Sequence, residues 1–250
     1  MNDQDVINAF INYLRKTGFP DLKVDRWPDK ENRKTTEIDA IAGCFAIEHT
    51  SIDTIPNQRR NSDWFIQAIG GIEKELTASL PFRLNITIEY DAVTTGQEWA
   101  TIRQNLKTWI IDESPRLNDG LSVLEDVHGV PFRLRIRKAS DRRPGIFFAR
   151  FEPMDNTLPA RIRKQFDKKA EKLAKYHGSD RKTVLLVEND DIALMNEGNM
   201  LDSIQIAYPN GLPNGVDMIW YADISIPKNI EFMDFTSEIV QGENPTSQCT

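Results

Sequence analysis

The residues best spaced for chemistry lie in TEIDAIAGCFAIEHTSID, residues 36–53. Strand alternation over 36–42 puts Glu37, Asp39 and Ile41 on one face, and over 44–51 it groups Ala46, Glu48 and Thr50. If these strands pair across a tight turn at Gly43, Asp39 and Glu48 converge. Two carboxylates and a backbone carbonyl suit a hard divalent cation, Mg2+ or Mn2+, which takes oxygen ligands and keeps several waters. Such an ion acidifies a bound water and neutralises charge on a phosphate during in-line displacement, the chemistry of phosphodiester hydrolysis. The competing explanation is that both acids are merely the polar ends of ordinary strands.

The surrounding pattern supplies elements to hold such a pair. Val6, Ile7, Phe10, Ile11 and Leu14 recur at helical spacing, and Gly18-Phe19-Pro20 ends that helix. Strands are expected at 22–27, 36–42 and 44–51, then a helix over RNSDWFIQAIGGIEKEL with Asn61 or Ser62 as cap, then an alternating strand at 83–90. The order through residue 91 is therefore α-β-β-β-α-β. GQEWATIRQNLKTWIID and LPARIRKQFDKKAEKLAKYH read as helices, and PFRLRIRKA, GIFFARF and VDMIWYADI as strands. KTVLLVEN has the continuous apolar run of a strand buried on both faces. The expected fold is α/β, a mixed central sheet flanked by helices. No linker stands out, so one domain is expected over 1–240, with a core in 1–91, an elaboration in 92–240 and a disordered tail at 241–250.

With that order, an Asp on the second strand and IEHT on the third, the chain resembles the PD-(D/E)XK, or restriction-endonuclease-like, superfamily. WPDKENRKTTEIDAIAGCFAIEHTSID is also similar to a group of uncharacterised bacterial proteins. The superfamily resemblance implies a Mg2+-dependent nuclease with Asp39 and Glu48 as metal ligands and the His49 carbonyl as a third. It also implies a lysine two residues after the second acid, which positions water and offsets phosphate charge. Thr50 stands there instead, and it carries no charge. Lys34 is the best substitute cation, Arg59 or Arg60 a possible phosphate clamp, and Gln58 a possible water-orienting group; His49 ranks last because alternation turns it from Glu48. A further acid from the first helix, Asp3 or Asp5, is a weaker candidate than a helix cap. The alternative function is a catalytically inactive nuclease-fold protein that binds nucleic acid or a protein partner.

Charge bears on the partner. The net charge is −7, yet residues 132–182 hold 16 Lys and Arg against 6 Asp and Glu. Arg133, Arg135 and Arg137 alternate with apolar residues, so three guanidiniums share one face of a strand. Side by side they repel and favour a counterion. The basic helix adds Arg161, Arg163, Lys164, Lys168, Lys169, Lys172 and Lys175, a set able to track phosphates but equally fit for a solvated helix face. Nucleic acid, DNA before RNA, is the expected partner. Trp27 is expected as a core or surface residue rather than a base-stacking one, and Glu188-Asn189-Asp190-Asp191 as a turn with a helix cap. No P-loop, dinucleotide, nucleophile-elbow or HExxH pattern is present. No apolar run reaches membrane-span length, the acidic N-terminus lacks signal-peptide character, and Cys44 and Cys249 lack metal spacing. A cytoplasmic protein with free thiols is expected.

Overall fold

The computed structural model describes residues 2–32, 37–151, 153, 155–178, 180–191, 193–226 and 228–240. In chain order the elements are α1 (Asp3–Thr17), α2 (Pro28–Glu31), β1 (Ala40–Ala42), β2 (Phe45–Ser51), α3 (Gln58–Ile69), α4 (Ile72–Leu76) and β3 (Arg83–Ile88). There follow α5 (Trp99–Asp112), β4 (Ser122–Asp126), β5 (Arg133–Ala139), β6 (Gly145–Arg150), α6 (Leu158–Leu173) and β7 (Lys182–Asn189). The last are α7 (Glu197–Ala207), β8 (Met218–Asp223), β9 (Glu231–Asp234) and α8 (Thr236–Ile239). They divide into two compact units, Met1–Pro56 with Asn156–Thr250, and Asn57–Asp155.

The first unit is built on a mixed sheet of order β1-β2-β7-β8-β9. β2, β7 and β8 run parallel, with antiparallel β1 and β9 at the edges. Parallel neighbours require crossovers, and α6 and α7 lead into β7 and β8. The apolar run of β7 is buried on both faces as expected. On one face, Val6, Ile7, Phe10 and Leu14 of α1 pack on Phe45, Ile47, Val184 and Leu186. On the other, Ile162, Phe166 and Leu173 of α6 and Met200 and Ile204 of α7 pack on Ala46, Leu185 and Val187. Each Val, Leu, Ile, Phe or Met side chain among them contributes about 1.5–3 kcal/mol by leaving water. Asn2 and Asp5 close a capping box at the start of α1.

The second unit is a sheet of order β4-β5-β3-β6. The even-numbered residues of β3, Leu84, Ile86 and Ile88, and Leu134 and Ile136 of β5 pack with Ile69, Ile72, Ile102, Leu106 and Ile110 of the helices. The odd-numbered residues of β3 and β5 stand on the opposite face.

The broad α/β class is as expected; the internal boundaries are not. Residues 1–91 do not form the core with 92–240 as its elaboration. α3 and β3 belong to the second unit, while β2 finds its parallel partner in β7, from Ser51↔Glu188 back to Phe45↔Lys182. β7 offers the apolar surface that a strand buried on both faces requires. The strand expected at 22–27 reduces to a bridge between Arg26 and Ile41, and PDKE turns once as α2. The helix expected over 60–76 breaks at Gly70-Gly71, because a Cβ at Gly70 would lie 2.3 Å from the Ile66 carbonyl oxygen and Gly71 has φ of 96°. The expected turn follows β7, but neither Asp190 nor Asp191 caps the helix after it. Asp191 accepts the amides of Ala193 and Leu194 in a turn, and Asn196 caps α7. The expected tail at 241–250 lies outside the described residues. No helix among the described residues is long and apolar enough to cross a membrane.

Candidate active site

The hairpin of β1 and β2 turns at Gly43, whose φ of 53° suits glycine. Its register pairs Ala40 with Ile47 and Ala42 with Phe45. One more step along that ladder sets Asp39 against Glu48, so their side chains share a face. The fit is held by the backbone: the His49 amide donates to Asp39 Oδ2 at 2.7 Å. Glu48 sits in the middle of β2, between β1 and β7, and is 0% exposed, whereas Asp39 is half-buried at the edge. Asp39 also borders a cleft of about 370 Å³ lined by Asn2, Asp3, Trp27 and Lys30.

The cations come from α6. Its apolar stripe faces the sheet, and Gln165, Lys169 and Lys172, four and three residues apart, form the row beside that stripe. Lys169 Nζ lies 2.5 Å and Lys172 Nζ 2.7 Å from Glu48 Oε1. Gln165 Nε2 donates to Thr50 Oγ1 at 2.9 Å. Thr50 itself is 3% exposed. Position 50 is thus covered by α6, and two ammoniums of that helix lie beside Glu48.

Electrostatics sharpen the picture. Burial raises the Asp39 carboxyl above its usual range, opposed by the His49 amide and by Lys169 and Lys172. Burial also raises Glu48; the nearby Asp39 adds to this, and the two ammoniums only offset it. Glu48 Oε2 is buried with no hydrogen-bond partner. Two hard carboxylates that disfavour each other's charge, one with an orphaned oxygen, fit the donor set of Mg2+ or Mn2+. Among the described residues no third His, Cys, Asp or Glu side chain completes a metal cluster, so the remaining ligands would be backbone and water oxygens.

The other expected residues fall elsewhere. The His49 ring lies on the α1 face, 3.2 Å from Glu188 and 3.6 Å from Asp3, so only its backbone belongs to the acid pair. Asp5 is engaged in the α1 cap. Lys34 lies outside the described residues. Gln58 and Arg59 open α3 in the second unit, and the Arg60 guanidinium lies over Trp64 of the same helix. Arg161 is engaged within the first unit: it donates to the carbonyls of Asp53 and Thr54 at 2.7 Å each and to Thr157 Oγ1. Arg163 likewise donates to the Ala207 carbonyl. Lys164 and Lys168 are exposed on α6. Arg133, Arg135 and Arg137 are exposed on β5 of the second unit. Trp27 packs at the margin of the α1-side core, as expected.

Lys169 and Lys172 were legible only as members of a basic helix. The available signal was their place in the row adjoining the stripe 162-166-170-173, which puts them at the edge of a buried face. Arg161 offers a check on this sorting. Arg161→Ala should lower stability by about 2–3 kcal/mol, since its charge-assisted bonds tie the chain after β2 to α6. Chemical denaturation measures this, and the salt dependence of nucleic-acid binding should stay unchanged. Comparison with protein-family models, curated proteins and solved structures finds no match to this chain.

Proposed function

We propose that the chain is a Mg2+- or Mn2+-dependent nuclease, acting on DNA in preference to RNA, in which Lys169 and Lys172 replace the lysine that Thr50 lacks. One observation carries this reading: two carboxylates side by side on a sheet, with two ammoniums within 2.7 Å of one of them. The order α1, β1, β2, α6, β7 keeps part of the superfamily's element order, with an isolated bridge at Arg26 where its first strand would stand and Asn57–Asp155 inserted between β2 and α6. When bound, the cation would supply an acidified water and draw off phosphate charge. Asp39 and Glu48 Oε2 would hold it. Lys169 and Lys172, fixed on Glu48, would place positive charge beside a phosphate and offset the negative charge growing there. With both lysines charged, the loaded site carries an excess of positive charge, which matches an anionic substrate.

A second reading, an inactive nuclease-fold protein that binds nucleic acid or a protein partner, is favoured by the complete burial of Glu48. The metal separates the two. Millimolar Mn2+ should raise the Tm of the wild type by about 5 °C, because a ligand that binds only the folded state stabilises it. Asp39→Asn should abolish that shift. Equal shifts in both proteins would remove Asp39 from the site. No shift in the wild type would leave the ion-pair cluster as a structural device.

A further inference from the structure

The second unit has a feature that the acid pair does not account for. Helices cover one face of its sheet, while the other carries four guanidiniums: Arg83 on β3 and Arg133, Arg135 and Arg137 on β5. The register makes them one patch. Arg137 pairs with Asn85 and Arg135 with Thr87, two and four residues along β3 from Arg83. Neighbouring β6 adds Phe147, 43% exposed and opposite Asn85, with Phe151 two strand alternations further on.

Cation and ring are paired on this face. The Arg83 guanidinium lies 3.9 Å from the Phe147 ring centroid, and that of Arg135 4.8 Å from Phe151. Among the described residues only Arg133 of the four makes an ion pair, with Asp126 across the strand. Like charges this close on a sheet disfavour contact with a second copy and call for an anion. An exposed phenylalanine beside them, with guanidiniums placed over rings, offers a stacking surface for planar groups. A single-stranded polynucleotide has both a phosphate chain and unstacked bases; a duplex hides its bases. We infer that the open sheet face of the second unit binds single-stranded nucleic acid, its arginines taking phosphates and Phe147 stacking a base.

This surface is distinct from the acid pair, so its test can run without catalysis. Full-length protein is titrated against fluorescent oligothymidylate, oligouridylate and a DNA duplex by anisotropy, in excess EDTA at several salt concentrations. Wild type should prefer either single strand to the duplex. Arg135→Gln with Arg137→Gln should weaken binding about tenfold or more and flatten the slope of log affinity against log salt by about 0.7 for each lost phosphate contact. Phe147→Leu keeps an apolar side chain but removes the ring; it should cost about fivefold or more with the slope unchanged, and an abasic oligonucleotide should abolish its difference from wild type. Melting curves verify that each variant is folded. Equal affinity for duplex and single strand, or folded variants that bind like wild type, would overturn the inference. Because EDTA silences any metal chemistry, such a failure would leave the nuclease reading untouched, and a failed cleavage assay would leave this one intact.

Discussion

Lys169→Met combined with Lys172→Met is expected to cost about 3–5 kcal/mol of stability at neutral pH, the price of leaving a buried charge unpaired. Both lysines are largely buried, with side chains 16% and 15% exposed, and the partner carboxylate is at 0%. The loss should depend on pH in a defined sense. In the folded wild type, Glu48 and Asp39 already hold their protons to higher pH than in the unfolded chain. A carboxyl with a raised folded pKa favours the folded state at low pH, and that contribution fades as pH rises through the folded value. Removing the lysines raises Glu48 further, so the double variant should recover stability as pH falls toward the ordinary carboxyl range. Adding Glu48→Gln should restore most of the loss at neutral pH, because the fully buried charge is then gone and only the half-buried Asp39 keeps one. Urea unfolding at several pH values measures this. A double variant as stable as wild type at neutral pH would mean that Glu48 is not held as a buried, lysine-paired carboxylate.

Cleavage should respond to the same residues in a different pattern. In single-turnover assays with Mg2+ or Mn2+ on single- and double-stranded DNA, Glu48→Gln should abolish activity. Lys169→Gln or Lys172→Gln should each reduce it by about 100- to 1000-fold, the scale of one lost electrostatic stabiliser in a catalytic site. That corresponds to about 2.7–4 kcal/mol of transition-state stabilisation. Metal binding, read from the Mn2+ thermal shift, should survive either lysine change and be lost with Glu48→Gln. Thr50→Lys should not restore cutting to these variants, since position 50 is buried against Gln165 and has no room for a second ammonium. Wild type that binds Mn2+ but cuts no DNA or RNA would favour the inactive, binding reading. Lysine variants that cut as fast as wild type would place the phosphate cation elsewhere.

Local pattern was enough for the parts of this protein that local forces decide. The helical stripe of residues 3–17, the alternation of β3 and β5, and the doubly buried run of β7 each follow from periodicity. So does the facing of Asp39 and Glu48, since a hairpin closed by Gly43 allows little freedom of register. Where the chain goes after β2 was not legible. Residues 58–88 supply a helix and a strand of ordinary quality, and nothing in their own sequence says that they pack with Leu134, Ile136 and Leu106 rather than with β2. Their membership depends on which apolar faces find each other across long loops, a property of the whole chain. The same reason hid the lysines. Lys169 and Lys172 have the composition of a solvated helix face, and only the seating of α6 on β2, more than 100 residues away in sequence, turns them onto Glu48. Sequence therefore determined that the two acids face each other, and tertiary structure decided which cations attend them, because a buried carboxylate selects its partners by distance in space.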